Sequence, residues 1–240
     1  MIETVADLQQ FQTENLSGDW FLHIIPADDA VHACATKRCI LFIRNLSTSK
    51  TYYYSFCHPD SVPSVGESEF LLLLLKRPNR KWAFDKKSFD QLLNLPAVLD
   101  ANLASYLTKN IITELSDYET PAHFMVRRNA SGHRQINQAI PLTKHLELFN
   151  ELADDFTKLL KKYEVDIPFF QFNNEIIETL GMIEREGIFV DREKFHTHFG
   201  VDCGNTNLVY SQYNVYTATG RPSNRYGGIN YAALNQSDGS

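Results

Sequence analysis

A short segment near the end of the chain carries the residues best suited to contact a nucleic acid. Residues 217–223 read T-A-T-G-R-P-S. Gly220 lets a ligand approach the backbone closely, because it has no side chain. Arg221 carries a permanent charge on a planar fork, which can reach acceptors in the DNA minor groove or a phosphate. Asn224 and Arg225 follow and can add contacts to the DNA backbone. By itself the segment leaves two interpretations open: Arg221 contacts DNA, or it pairs with a carboxylate in a turn.

The cysteines indicate neither a disulfide framework nor a metal site. Cys34, Cys39, Cys57 and Cys203 contain no C-x-x-C pair, and the chain is long for a disulfide-stabilised scaffold. His32 near Cys34 is too little for a zinc site, which needs further ligands at recognisable spacing. We expect buried or unused thiols.

The composition is that of an ordinary folded protein, with 43% hydrophobic and 22% charged residues among 240. The net charge of -6 argues against a surface that binds nucleic acid everywhere, because Lys and Arg make the phosphate contacts. It still allows one local basic groove. The longest apolar run, residues 70–75, is too short to span a bilayer. The first residues, M-I-E-T, lack the basic and then apolar layout of a signal peptide, so we expect a cytoplasmic protein with no membrane partner.

The elements that must position these residues begin with strands. Residues 20–25, 39–43 and 51–56 are apolar runs rich in strand-forming residues. The turn-like residues 45–50 predict a hairpin between the second and third runs. Residues 81–84 predict a further short strand. Strands first, then strands alternating with helices, indicate an α/β fold.

Helices and one long loop are predicted in the middle of the chain. The pattern becomes helical at Glu69. Residues 88–91, S-F-D-Q, have the S-x-x-Q spacing of a capping box, and residues 103–107 predict another helix. Residues 116–138 are polar and irregular and predict a loop.

Two amphipathic helices are predicted after this loop. The first ends near two lysines and has apolar residues at three- and four-residue steps: Phe149, Leu152, Phe156 and Leu159. The second is predicted to end at a left-handed cap, Gly187, and to present one apolar face: Ile176, Ile177, Leu180 and Ile183. Asp191 can cap the next turn. Short strands are predicted at residues 188–190, 208–210 and 213–216.

Several segments resemble family A DNA polymerases, the family of bacterial DNA polymerase I. T-A-T-G-R-P-S is similar to the T-x-T-G-R-L-S-S signature that opens the family's palm. Residues 228–235, G-I-N-Y-A-A-L-N, resemble the P-N-L-Q-N-I-P run that follows it. Residues 178–191, E-T-L-G-M-I-E-R-E-G-I-F-V-D, are similar to the L-x-x-M-E-x-x-G-I-x-V-D stretch where the polymerase domain begins. Residues 88–90 and 99–107 resemble K-Y-D and D-T-M-L-A-S-Y-L of the proofreading domain. The matches follow the family's order.

The resemblance implies a fold, a ligand and a set of contacts. It implies a ribonuclease H-like exonuclease-type domain, a mixed sheet with flanking helices, over residues 1–142. Residues 143–240 would then hold connecting helices, a reduced thumb and the first palm strands. Primer-template DNA is the implied ligand. The implied DNA-binding residues are Thr219, Gly220, Arg221, Ser223, Asn224, Arg225, Asn230 and Asn235.

The sequence departs from the family at the proofreading site. Two-metal hydrolysis needs several converging carboxylates. The family's D-x-E pair falls here on His23 and Ile25, and residues 136–142, aligned with the third acidic motif, hold no acid. Asp90 keeps its match. Residues 28–29, D-D, would point to opposite faces of a strand, and we interpret them as a solvated loop. We therefore expect an inactive exonuclease domain that persists as a scaffold.

The polymerase part is incomplete in this sequence. The interval between Asp191 and Thr217 is far shorter than the family's thumb. The catalytic aspartates and the fingers helix would follow Asn235, so no catalytic residue is expected here. Mg²⁺ is expected only for the complete polymerase. We expect either a second chain that carries the palm and fingers, or a truncation.

Three functions follow from this reading. The first is the N-terminal part or subunit of a family A DNA polymerase. The second is a self-contained DNA-binding or assembly module without catalysis, whose DNA affinity would fall steeply with salt. The third is a metal-dependent 3'-5' exonuclease that uses Asp90, Asp100 and further acids.

Overall fold

The computed structural model describes residues 2, 4–14, 17–27, 37–62, 65–95, 97–109, 126–128, 134–136, 141–163, 167–200, 203, 206–210, 212–214 and 222–225. Within them the helices are α1 (Val5–Glu14), α2 (Glu67–Lys76), α3 (Lys86–Leu92), α4 (Ala101–Lys109), α5 (Leu142–Lys162), α6 (Ile167–Glu186) and α7 (Arg192–Phe199). The strands are β1 (Trp20–Pro26), β2 (Arg38–Asn45), β3 (Thr51–Ser55), β4 (Lys81–Ala83), β5 (Val98–Asp100), β6 (Val126–Arg128), β7 (Arg134–Ile136), β8 (Ile188–Phe189), β9 (Leu208–Val209), β10 (Gln212–Asn214) and β11 (Ser223–Arg225). No helix among the described residues is both long and apolar enough to cross a membrane.

A five-stranded mixed sheet forms the centre of the described structure, with strand order β3-β2-β1-β4-β5. β1, β2 and β3 pair antiparallel, whereas β4 pairs parallel with both β1 and β5. The predicted hairpin between β2 and β3 is confirmed, with Ile40 opposite Ser55 and Arg44 opposite Thr51. Because β1, β4 and β5 run in the same direction, their carboxyl ends meet at one edge of the sheet.

Helices cover both faces of the sheet because its strands are apolar on both sides. In β1, Phe21 and Ile25 belong to one buried cluster, and Trp20 and Leu22 belong to the other. The first cluster includes side chains of α4 and α5, and the second includes side chains of α1, α2 and α3. Successive residues of a strand point to opposite faces, so a continuous apolar run is buried only between two helical layers. The expected α/β fold is confirmed.

The apolar face predicted for α5 is confirmed. Its four predicted residues, Phe149, Leu152, Phe156 and Leu159, are all buried. The Phe149 ring stacks on Phe21 and Phe42 of the sheet, at 5.7 and 5.1 Å between ring centroids. The helix begins at Leu142, where the sequence analysis divided the chain, and it packs on the sheet. The division into residues 1–142 and 143–240 stays a prediction.

The face of α6 that is buried agrees only in part with the predicted one. Ile177 and Leu180 are buried as predicted, but Ile176 and Ile183 are 41% and 40% exposed. Asn174 and Glu184 are buried as well. The prediction was wrong for Ile176 and Ile183 because helical periodicity ranks residues by hydrophobicity. A buried polar side chain needs partners from distant parts of the chain, and periodicity does not show them.

Asn174 closes the free edge of the central sheet. Its side-chain oxygen accepts a hydrogen bond from the Asp100 N–H at 3.0 Å, and its amide nitrogen donates to the Val98 carbonyl at 2.7 Å. β5 is the edge strand, so these two backbone groups have no strand on that side. The side-chain amide therefore supplies the hydrogen bonds that a further strand would make.

The start of α3 also differs from the prediction. The cap is Asp85, whose carboxylate accepts hydrogen bonds from the Ser88 N–H at 3.1 Å and the Ser88 hydroxyl at 2.8 Å. Ser88 therefore lies inside the helix, and the capping box predicted at residues 88–91 was wrong. Aspartate is itself a preferred cap, and Asp85 stands directly after β4, where the helix has to begin.

The predicted loop at residues 116–138 contains two short strands. β6 and β7 pair antiparallel, with Val126 opposite Ile136. The loop prediction was wrong for these strands, because ladder hydrogen bonds come from the backbone and do not require apolar side chains. Residues 28–29, the adjacent aspartates, lie outside the described residues.

The three described cysteines differ in burial: Cys39 is buried, Cys203 is partly exposed and Cys57 is exposed. Cys39, Cys57 and Cys203 form no disulfide bond among the described residues, and the Cys57 thiol donates a hydrogen bond to the Arg38 carbonyl at 3.3 Å. Cys34 lies outside the described residues. Burial raises the pKa of Cys39 to about 12, so its thiol is neutral at physiological pH.

Candidate functional site

Polar side chains lie in or just after the three strands that run in the same direction. His23 lies in β1, Asp85 follows β4, and Asp100 ends β5. His23 and Ile25 stand where the family alignment places a pair of acids. Ile25 is buried in the core. These two positions therefore supply no carboxylate oxygen to the carboxyl edge of these strands.

His23 is a neutral imidazole in the folded protein. Burial lowers its pKa from the ordinary 6.5 to about 4; Asp85 opposes this and His145 adds to it. The His23 ring meets the Phe84 ring edge-on, with 5.5 Å between centroids. Magnesium prefers oxygen ligands, so a neutral, partly buried imidazole is a poor substitute for the acid.

The two aspartates at this edge bind backbone amides. Asp85 caps α3 as described above. Asp100 is fully buried and accepts hydrogen bonds from the Lys86 N–H at 2.9 Å and the Leu103 N–H at 2.7 Å. Carboxylates in such positions satisfy the unpaired amides at helix starts. The oxygens of both carboxylates therefore accept hydrogen bonds from helix amides, and these bonds would compete with the binding of a metal ion.

Asp90, the surviving match to the exonuclease motif, is paired with a lysine. Its carboxylate forms an ion pair with Lys86 of the same helix, and the Lys86 ammonium also lies 3.6 Å from Glu178. Burial raises the pKa of Asp90 to about 6, although the Lys86 charge lowers it. The Lys86 ammonium therefore pairs with one of the two carboxylate oxygens of Asp90, Oδ2. Within the described residues, no three His, Cys, Asp or Glu side chains are grouped to hold a metal.

A hairpin flanks the T-G-R segment. β10 and β11 pair antiparallel, with Tyr213 opposite Asn224. Ser223, Asn224 and Arg225 form β11, so the structure places these three predicted DNA-binding residues together on one strand. The other predicted DNA-binding residues lie outside the described residues: Thr219, Gly220, Arg221, Asn230 and Asn235.

A buried polar cluster joins this hairpin to the sheet domain, and we call it the Lys87–Glu184 clamp. It comprises Lys87 and Gln91 of α3, Glu184 of α6 and the backbone of Tyr213 in β10. One Glu184 oxygen accepts hydrogen bonds from the Lys87 ammonium and from the Tyr213 N–H, both at 2.5 Å. The other accepts from the Gln91 amide at 2.9 Å. The Lys87 ammonium also donates to the Tyr213 carbonyl.

The ions of the clamp are largely removed from water. The side chains of Lys87 and Glu184 are 14% and 5% exposed. A buried charge is stable only when it is paired and its remaining hydrogen-bonding positions are filled, as they are here. Gly181 makes room for the lysine, because a Cβ at that position would lie 3.3 Å from the Lys87 Cγ.

The sequence analysis missed the clamp. Its signal was present in α6, where the buried residues recur at three- and four-residue steps: Asn174, Ile177, Leu180, Gly181 and Glu184. The apolar pattern of this face is incomplete, because two of these residues are polar and one is glycine. Nothing in the sequence marked Lys87 as buried, because lysine side chains are almost always exposed.

Comparison with solved structures shows a likeness in fold. No family model and no curated protein matches the chain. Among solved structures, the chain is similar to the POL domain of Pol1 from M. smegmatis in complex with DNA primer-template and dNTP. The TM-score is 0.51 at 16% sequence identity, over 83% of this chain and 34% of that chain. The chain therefore has a polymerase-like fold and spans 34% of the length of the structure it matches.

Proposed function

We propose that this chain is the N-terminal part or subunit of a family A DNA polymerase and that it binds primer-template DNA. The observation that carries the proposal is the fold likeness to a polymerase domain over 83% of the chain. The three motif matches in family order support it independently, because they come from the sequence alone. The proposed DNA contacts are Thr219, Gly220, Arg221, Ser223, Asn224, Arg225, Asn230 and Asn235.

The first domain is proposed to be an exonuclease-type domain without nuclease activity. The mixed sheet with helices on both faces supports the ribonuclease H-like assignment. The proposed loss of activity is supported by His23 and Ile25 at the acid positions and by the backbone contacts of Asp100. We expect no 3'-5' digestion of a labelled primer in Mg²⁺ or Mn²⁺. Digestion that Asp90→Ala abolishes would contradict this and favour the exonuclease alternative.

Nucleotidyl transfer is proposed to need a separate or missing C-terminal part that carries the palm and fingers. The reaction uses two metal ions held by carboxylates, and Mg²⁺ is proposed to bind in the completed polymerase. A second chain that carries the palm and fingers is the proposed partner. The described residues between Asp191 and β10 comprise α7 and β9 with their connections, which supports a reduced thumb. A polymerase of this kind would act in the cytoplasm.

The test is primer extension in Mg²⁺ with all four deoxynucleotides. The chain is assayed alone and together with a polypeptide that carries the palm and fingers. We expect extension only by the mixture, and we expect Arg221→Ala to reduce it strongly. Arg80→Ala is the matched control, because it removes the same charge from a half-exposed arginine that pairs with Asp19.

The outcomes separate the proposals. Extension by the mixture that is equally reduced by both variants would leave Arg221 without a specific role. Salt-dependent DNA binding without extension or association would favour the binding-module alternative. In that case log affinity should fall by about 0.9 per log unit of salt for each phosphate contact, and Arg221→Ala should lower that slope by about one contact.

A further inference from the structure

We propose that Lys87 and Glu184 are positioning residues for DNA binding: they hold the β10–β11 hairpin, and with it the proposed DNA contacts Ser223, Asn224 and Arg225, against α3 and α6. The inference rests on the proposed function and adds to it a role for α3. The exonuclease-type domain would then contribute to DNA binding by fixing the position of the hairpin, through helix α3, which also carries Asp90.

The clamp binds both backbone polar groups of one residue of β10. Glu184 accepts from the Tyr213 N–H and Lys87 donates to the Tyr213 carbonyl. In an antiparallel pair the N–H and carbonyl of one residue point to the same side, either toward the partner strand or away from it. Since both groups of Tyr213 are bound by the clamp, they point away from β11. The clamp thus occupies the outer edge of the hairpin.

Holding Tyr213 also fixes the register of β11. Asn224 lies directly opposite Tyr213, with Ser223 and Arg225 opposite the two neighbouring residues of β10. A slip by one residue would turn every side chain of a strand to the opposite face. Three of the proposed DNA contacts therefore depend on the position of the Tyr213 backbone, which side chains of α3 and α6 bind.

A buried ion pair is not by itself evidence of a function, because pairs of this kind are often replaceable by apolar residues without loss of stability. The Lys87–Glu184 pair differs because each of its two side chains also binds the backbone of Tyr213. Its donors and acceptors are matched to one N–H and one carbonyl of another strand. The pair in reversed order would keep the charges and lose that match.

The experiment measures binding of the chain to a fluorescent primer-template duplex. Glu184→Gln has the same shape and removes the charge. Asp90→Asn is its matched control, because it neutralises the other buried ion pair of α3, which does not touch the hairpin. We expect Glu184→Gln to weaken binding about tenfold or more, because hydrogen bonds to a charged group are stronger than neutral ones. The salt dependence of binding should also fall, because a displaced β11 would make fewer phosphate contacts. We expect Asp90→Asn to change affinity less than about twofold.

Two further measurements separate positioning from general stability. The charge-reversed double variant, Lys87→Glu with Glu184→Lys, keeps an ion pair. It places a lysine donor at the Tyr213 N–H and a carboxylate acceptor at the Tyr213 carbonyl, so neither hydrogen bond can form. We expect it to bind DNA as weakly as Glu184→Gln. Hydrogen exchange of the Tyr213 amide should be about tenfold faster in Glu184→Gln, while exchange of the central sheet is unchanged.

The outcomes distinguish this inference from the proposed function. If Arg221→Ala weakens DNA binding and Glu184→Gln does not, the inference is overturned and the proposed function stands. Recovery of tight binding in the charge-reversed variant would also overturn it, because any ion pair would then suffice. If the unaltered chain does not bind the duplex at all, the proposed DNA-binding function is overturned and the inference with it.

Discussion

Replacing Asp90 by asparagine should change how the stability of the protein depends on pH. Burial raises the pKa of Asp90 from its ordinary value of 3.8 to about 6. Between these values the folded protein keeps the proton while the unfolded chain has released it. The free energy of unfolding must therefore fall as pH rises through this window. Asp90→Asn has no such titration and should not show the fall.

The size of the effect follows from the same values. One pKa unit corresponds to about 1.36 kcal/mol, so the interval from 3.8 to about 6 amounts to about 3 kcal/mol. The quantity to compare is the difference in unfolding free energy between Asp90→Asn and the unaltered protein. That difference should grow by about 3 kcal/mol from pH 3.5 to pH 7. Losses common to all pH values, such as a change in packing, cancel in this comparison.

The assay is urea unfolding at a series of pH values, followed by tryptophan fluorescence. Trp20 and Trp82 are both fully buried, so their emission reports loss of the sheet core. Asp155→Asn is the matched control, because Asp155 pairs with Lys158 on an exposed helix surface, and its curve should run parallel to that of the unaltered protein. A difference that stays flat, or shrinks as pH rises, would refute the reasoning. It would mean that the Lys86 charge outweighs burial.

Three other predictions concern single side chains and are checked by the same unfolding assay. Because burial lowers the pKa of His23 from 6.5 to about 4, stability should fall by about 3 kcal/mol as pH drops through this window, and His23→Phe should remove that dependence. Gly187→Ala should destabilise by at least about 1 kcal/mol more than Gly200→Ala. Both glycines have positive φ, but only at Gly187 would a Cβ meet the Tyr210 ring, at 2.9 Å. Asn174→Ala should cost about 2 to 3 kcal/mol, because it leaves two backbone groups of the edge strand β5 without partners. Equal losses at the two glycines, or a neutral Asn174→Ala, would contradict these assignments.

Most helices and strands of the central fold could be predicted from local patterns. The turn-like residues between β2 and β3 predicted the hairpin, and the apolar steps from Phe149 to Leu159 predicted the buried face of α5. Gly187 at positive φ and Asp191 as a cap, accepting from the Glu193 and Lys194 N–H groups, are also confirmed. Such features depend on a few neighbouring residues, so a short stretch of sequence is enough to determine them.

The candidate sites were predicted less completely. The DNA contacts assigned to the T-G-R segment stay a prediction, which rests on the order of the motif residues in the chain. The contacts of Asp85 and Asp100 were not found. The Asp85 cap is local, but the capping box was assigned to Ser88 instead. Asp100 meets the Lys86 N–H only because strands β4 and β5 lie side by side. The clamp was missed for the same reason: Lys87, Glu184 and Tyr213 are far apart in sequence.

The sequence by itself determined the elements, the apolar layering of the sheet and the order of the motifs, because these follow from local periodicity and residue type. Only the tertiary structure decided which charged residues are buried and what they hold. Asn174 and Glu184 look like surface residues of α6, yet one completes the sheet edge and the other holds β10. A polar side chain is stable in the interior only if the fold brings its partners within hydrogen-bonding distance, and that condition is met in space, between residues that the sequence keeps apart.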